Sequence, residues 1–427
     1  MFKNTSRLLS FSIIFLILMF VIRDIGNITI NPYLITALLS GIACVLTYKD
    51  LIAYSCFLLP LSCGVQSFVW IVIIICFMVK NPRAPSMALS LFLLFFLLEI
   101  FDQSTTVILK PEIKNTIFYF ASLFVTFYLI NDVSRSSDYS KNIRYFIYGS
   151  TFLLVVIFIR TIIQYGVDEI LTGTVRYKMD DATLSGKYVF YTNANNLGLY
   201  SSVCFSILLF IGKEKLRLRS LTYVFIFALV LIGGMMTFSR TWLILVIASL
   251  LTYFLLSKKN ISFFFVLFTL ILMTVLVLSS DYYMSIYEIF DARFTAEDIK
   301  DGAGRIDLFT SYNNFFLDNK RYWLTGTGAI YYMDICQQQN SMHNMIQQTY
   351  ICYGVGGVLG IFALFYGIFK IGAKHLAGKH QYMPLFCYLI FVQTLQFFNP
   401  IFCMYPLVVC TYCLKLDNDN DNLNVYC

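Results

Sequence analysis

Apolar residues run along this chain in long unbroken stretches, not at the spacing of a surface helix or a half-buried strand. The runs fall at 8–22, 33–48, 51–63, 66–79, 86–101, 115–131, 144–165, 197–212, 219–237, 241–257, 261–280, 345–369, 383–398 and 400–414. A helix that crosses a bilayer needs about 20 mostly apolar residues, fewer where its ends snorkel. Most of these runs therefore predict membrane-spanning helices. The pairs 51–63 with 66–79 and 383–398 with 400–414 are short; each reads as a tight hairpin, a re-entrant element or one long broken helix. The pattern predicts an all-α polytopic membrane protein with about 12 to 14 transmembrane helices. No composition break divides it, so residues 1–427 form a single integral membrane domain. Lys3 and Arg7 precede the first run and no small-residue cleavage site follows it, the pattern of an uncleaved first span.

Composition sharpens this reading. Of 427 residues, 59% are hydrophobic and only 13% charged, against ~25% charged in soluble domains. A globule of this size would leave much of that apolar surface in water. The cysteines lie mostly inside apolar runs, where a thiol acts as a small hydrophobe. Only Cys336 falls in a long polar loop, so neither a disulfide framework nor a metal-ligand spacing emerges. His343, His375 and His380 are too scattered to hold a metal.

The net charge of +7 does not point to nucleic acid, because most of the basic residues flank apolar runs. They behave as topology determinants. With the N-terminus cytoplasmic, one set of short loops holds Lys49, Lys80, Lys141, Lys213, Lys215, Lys258 and Lys379 among others. The opposite face then carries two longer loops, 166–196 and 281–343, while 416–427 forms a cytoplasmic tail. Long loops between packed elements are where function concentrates.

Chemistry-bearing residues gather on that outer face. Arg240 lies between two apolar runs in Thr237-Phe238-Ser239-Arg240-Thr241, with hardly any loop around it. A guanidinium at such a turn costs several kcal/mol unless it is satisfied, and its planar fork suits a phosphate. Arg160, near the outer end of its run, reads as a snorkelling side chain. His343 begins another run, and a histidine can accept a proton near neutral pH. Beyond it, Gly354-Val355-Gly356-Gly357 would let that helix pack closely on a neighbour.

Together these segments resemble the bacterial O-antigen polymerase and O-antigen ligase superfamily. The resemblance rests on His343-Asn344 followed by Gly354-x-x-Gly357, and on Ser239-Arg240-Thr241 at a helix end. It also rests on Gly304-Arg305-Ile306-Asp307, Leu324-Thr325-Gly326-Thr327-Gly328, and Asn193-Ala194-Asn195-Asn196-Leu197-Gly198. It covers about residues 190–370 in order; the first 180 match only in hydropathy. It implies the C-type membrane glycosyltransferase architecture, located in the bacterial inner membrane with a periplasmic active site. The reaction it implies is metal-independent and needs no cofactor. Donor and acceptor are undecaprenyl-diphosphate-linked oligosaccharides, met within the membrane lipids, and a chain-length regulator protein is the expected protein partner. In this reading Arg240 and Arg305 clamp the diphosphate, with Arg176 or Arg293 as a third cation. His343 is the general base, and Asp307 orients Arg305 or His343. Ser239, Asn344, Asn195, Gly354 and Gly357 support the site.

Three functions remain open at this point. A polymerase moves the growing glycan onto another lipid-linked repeat unit, whereas a ligase moves it onto lipid A–core. A flippase for the same lipids would want charges deep in the spans and an internal repeat. Few charges and no obvious repeat are present, which sets the flippase aside; the Asn-x-Asn motif, the Gly-Arg…Gly-Thr-Gly run and the Phe/Ile/Tyr/Asn-rich composition favour the polymerase over the ligase.

Overall fold

The computed structural model describes residues 2–81, 86–105, 113–131, 138–171, 189–256, 305–395, 397–398 and 401–416. Among them every regular element is a helix and no strand occurs. The helices are α1 (Phe2–Asp24), α2 (Pro32–Val45), α3 (Tyr48–Leu58), α4 (Phe68–Lys80), α5 (Ser86–Thr105) and α6 (Ile113–Ile130). They continue with α7 (Tyr139–Leu171), α8 (Ala194–Lys215), α9 (Ser220–Met235) and α10 (Arg240–Leu256). After the undescribed stretch come α11 (Arg305–Asp318), the single turn α12 (Tyr332–Ile335), α13 (Met345–Lys374), α14 (Lys379–Val392) and α15 (Pro406–Leu414). The apolar run 261–280, the loop residues 281–304, Arg176, Arg293 and the tail 417–427 lie outside the described residues.

Among the described residues, three segments are long and apolar enough to cross a membrane, Tyr139–Gly166 in α7, Ala194–Lys215 in α8 and Met345–Lys374 in α13. Helix α8 is the axis of the bundle, its most apolar window 94% buried, with α7, α9, α10 and α14 packed around it. Helix α13 is peripheral. Val355, Leu359, Phe362, Tyr366 and Phe369 are exposed along it at helical spacing. An apolar stripe of that length facing outward needs lipid or protein to cover it, as a helical membrane protein provides.

Both ambiguous pairs are antiparallel hairpins. Helix α3 continues through a 3-10 turn at Pro60–Gly64 before α4 returns. Asp50 near the start of α3 pairs with Lys141, while Gly64 meets Arg23 at the opposite end of the bundle. Similarly, Ile401–Met404 forms a 3-10 turn that leads into α15. Gln381, in the first turn of α14, donates to the carbonyls of Cys413 and Leu416 at the end of α15. Pro60 and Pro406 sit at the starts of their turn and helix, where a missing N–H costs nothing.

Several described segments rich in basic residues meet at one end of the bundle. There Ser140 Oγ donates to the carbonyl of Lys215 at 2.8 Å, and Lys415 Nζ to that of Ile130 at 3.0 Å. Lys80 donates to the carbonyls of Ala43, Cys44 and Leu46, satisfying groups that the end of α2 leaves without helical partners.

At the other end a buried ionic cluster ties the first half of the chain together. Asp24 accepts from Arg23 Nε at 2.7 Å, from Arg160 Nη1 at 3.3 Å and from the backbone N–H of Phe190 at 2.8 Å. Arg160 Nη2 also donates to the carbonyl of Phe190 at 2.8 Å. Arg160 does not snorkel, then: it is 6% exposed and ion-paired. Its chain bends inward because a carboxylate waits there, 136 residues away in sequence. The two arginines hold the segment that leads into α8, and so fix where the Asn-rich motif begins.

Candidate functional site

Helix α8 starts with Asn193, whose side-chain oxygen accepts from the N–H of Asn196 at 2.9 Å, an ordinary N-cap. Asn196 Nδ2 donates to Thr192 Oγ1 at 3.0 Å, and its Oδ1 accepts from Cys403 Sγ. Both ends of that buried amide are therefore structural. Asn195 is half-buried between them. Two residues beyond Asn196, Gly198 packs against Ser239: a Cβ there would lie 3.2 Å from the serine's own. The Asn-rich motif and the Ser-Arg-Thr motif thus touch.

Arg240 owes its place to a tight turn between α9 and α10. Thr237 Oγ1 donates to the carbonyl of Gly234 at 2.6 Å and accepts from the N–H of Ser239 at 3.3 Å. Between them Phe238 has φ +47°, left-handed backbone that a bulky residue adopts only under tertiary constraint. Ser239 Oγ accepts from the N–H of Trp242 at 3.4 Å. Arg240 is the first residue of α10 and half-buried, and its neighbour Thr241 shares a 3.2 Å hydroxyl hydrogen bond with Thr394 beyond α14.

His343 lies just ahead of α13. Asn344 is the N-cap, accepting from the N–H of Gln347 at 3.0 Å. On the other side of the histidine, buried Met342 donates its N–H to Tyr332 Oη at 3.3 Å. The half-buried His343 is held between these two anchors. Burial pushes the Cys336 thiol nearby up to about 12, so it stays protonated.

Two glutamines that motif reading passed over carry much of the assembly. Gln347 Nε2 donates to the carbonyl of Phe309 at 2.9 Å and to Asn313 Oδ1 at 2.8 Å. This docks α11 against the start of α13. Arg305 opens the same helix one turn before Phe309, and Asp307 in that turn is exposed. Fully buried Gln348 accepts from the N–H groups of Phe397 and Phe398 and donates to Tyr332 Oη at 3.3 Å. Thr394 is thus bonded to Thr241, beside Arg240, and Phe397 and Phe398 to Gln348, one turn inside the helix that His343 precedes. Consecutive glutamines in an apolar helix were the signal in the sequence, since a buried amide must find partners.

The glycines of the last motif have separate duties. Gly354, at φ +59° and ψ −155°, breaks α13 in a conformation that only glycine adopts readily. The backbone groups freed by the break pair with the Gly-Thr-Gly segment. The N–H groups of Thr327 and Gly328 donate to the carbonyls of Ile351 and Cys352 at 2.9 and 2.8 Å. Those of Val355 and Gly356 donate to Trp323 and Leu324 at 2.9 and 3.2 Å. Two motifs 30 residues apart in sequence form one hydrogen-bonded unit. Gly357 makes room for the side chain of Tyr353 (a Cβ would come within 2.2 Å of it), and close packing on α5 falls to Gly360. Buried Glu99 on α5 closes the unit, accepting from the N–H groups of Ala329 and Ile330 at 2.7 and 3.3 Å.

The fold and these contacts define a helical membrane-type bundle with one polar, highly cross-bonded end. No known family model matches the chain, and comparison with curated proteins finds no significant match. Among the described residues no group of histidine, cysteine and carboxylate side chains could hold a metal.

Proposed function

We propose that the chain is a multi-pass enzyme of the bacterial inner membrane with about 12 to 14 spans: an O-antigen polymerase that joins undecaprenyl-diphosphate-linked repeat units on the periplasmic face. One observation carries the reading. Ser239-Arg240-Thr241, the Asn-rich start of α8, His343-Asn344 and the paired glycine motifs all lie at the same end of the bundle, joined through Gly198, Thr394, Gln348 and Thr327. Scattered topology loops would have no reason to be bonded together in this way.

The chemistry asked of these groups is modest. The hydroxyl of an acceptor sugar attacks the anomeric carbon of the donor glycan, and the bond from that carbon to the diphosphate oxygen breaks. His343 takes the hydroxyl proton while Arg240 and Arg305 stabilise the charge gathering on the diphosphate. A single displacement inverts the anomeric centre. Undecaprenyl diphosphate leaves carrying its electron pair.

The experiment is a deletion in the native host, read on a lipopolysaccharide gel. A polymerase leaves core capped by a single repeat unit. Bare core, with glycan stranded on undecaprenyl diphosphate, would replace this proposal with a ligase. An unchanged ladder would remove both.

A further inference from the structure

A cavity of about 660 Å³ opens at the polar end of the bundle, between the Pro60–Gly64 turn, the start of α6, the start of α8 and the Ile401–Met404 turn. That size lies within the ~300–1,000 Å³ of small-molecule sites. Tyr191, 52% exposed, brings an aromatic ring to its wall, while Trp70 and Tyr405 pack on each other behind it with their centroids 5.9 Å apart. Ser67, Asn115 and Asn193 bring hydroxyl and amide groups to the same space. None of the described lining residues carries a charge.

That combination matches one ligand chemistry closely. A pyranose ring has apolar C–H faces that lie against aromatic rings, and an edge of hydroxyls that pairs with amides and hydroxyls. A carboxylate or phosphate held here would lose its hydration with no cation among the described lining to compensate, which is costly. Lipid chains would gain little from the amides of Asn115 and Asn193. Asn193 has already committed its oxygen to the N–H of Asn196, so what it can offer a ligand is its NH2 donor. The site is also well placed: the turns of α8 that bring Asn193 and Asn196 to the cavity bring Gly198 to Ser239, next to Arg240.

We infer that this cavity binds a neutral sugar ring of the glycan, laid against the exposed ring of Tyr191 and hydrogen-bonded by Ser67, Asn115 and Asn193, with the diphosphate end of the same lipid-linked molecule lying toward Arg240. The inference rests on the proposed glycosyl transfer for its substrate but not for its test. Full-length protein in lipid nanodiscs is mixed with the methyl glycosides of glucose, galactose, N-acetylglucosamine and rhamnose, with methyl glucuronide as the charged control. Saturation-transfer NMR then reads each sugar separately. At least one neutral glycoside should receive saturation, and the glucuronide should not. Asn193→Asp keeps the helix cap but replaces the donor with a carboxylate, and should weaken the neutral sugar about tenfold, the scale of a lost hydrogen bond. Ser67→Trp fills the space at a position that makes no cap hydrogen bond, and should abolish the signal. Transfer to no neutral glycoside, equal transfer to the glucuronide, or unchanged binding by both variants overturns the site. Sugar binding in a protein whose deletion leaves the ladder intact would instead sink the polymerase and leave this cavity standing.

Discussion

The carbonyl of Ile351 accepts two hydrogen bonds from Thr327, one from its N–H at 2.9 Å and one from its hydroxyl at 3.0 Å. In an unbroken helix that carbonyl would belong to the N–H of Val355. The break at Gly354 sends that N–H to Trp323 instead, and Thr327 supplies the replacement. Gly354→Ala should cost ~1–3 kcal/mol in backbone strain alone, besides a Cβ within 2.4 Å of the Leu324 carbonyl carbon. Thr327→Val keeps the N–H, loses the hydroxyl and should cost about 1 kcal/mol. Thermal melting in detergent checks the order, with Gly354→Ala the less stable of the two. Parent-like melting of Gly354→Ala would mean the pairing of the two motifs is not needed for stability.

The buried cluster around Asp24 makes a different prediction. Arg160→Met leaves Asp24 paired with Arg23 but strips one cation from a carboxylate that is 3% exposed. Removing one partner of a buried ion pair costs about 3–5 kcal/mol. The variant should accumulate poorly in membranes and melt early, and Asp24→Asn, which leaves two arginines facing each other, should behave worse. Normal accumulation of both would return Arg160 to the snorkelling role.

Sidedness is open to labelling. Cysteines introduced at Ser220 and at exposed Tyr191 should respond oppositely to an impermeant maleimide added to intact cells, with Tyr191→Cys labelled and Ser220→Cys protected. Native Cys336 should stay silent at neutral pH, because burial keeps its thiol protonated with a value of about 12. The reverse pattern would place the proposed site in the wrong compartment.

Hydropathy made the helices legible, because an apolar run long enough to span has few other uses. The polar end was legible only in fragments. Gly354 could be singled out, but its φ of +59° could not be, since a glycine break and a glycine packing face look alike in sequence. Arg160 was misread because its partner Asp24 is remote along the chain, and hydropathy carries no information about such pairing. Gln347 and Gln348 fit no motif, yet they dock α11 and segment 397–398. Motifs flag residues that are unusual where they stand; the amides that join motifs look ordinary until the fold brings their partners near.

If Arg240 acts through phosphate, its charge and its fork should separate. Arg240→Lys keeps the charge and loses bidentate geometry, so partial polymer should remain; Arg240→Ala should give almost none. Both should accumulate normally, because Thr237 and Ser239 hold the turn in either variant. Loss of the protein in Arg240→Ala would make the residue structural.

His343 offers the sharpest separation of binding from chemistry. It stands outside α13, between the Met342–Tyr332 hydrogen bond and the Asn344 cap, so His343→Ala removes an imidazole without touching either anchor. As a general base its loss should cut transfer by ~10²–10⁴-fold while donor lipid is still bound, because the proposed clamp of Arg240 and Arg305 is left in place. Complementation of a deletion strain reads the first outcome as core with one repeat unit, and lipid-linked glycan co-purifying with the variant reads the second. A full ladder from well-expressed His343→Ala would end the general-base assignment and leave His343-Asn344 only the task of starting α13.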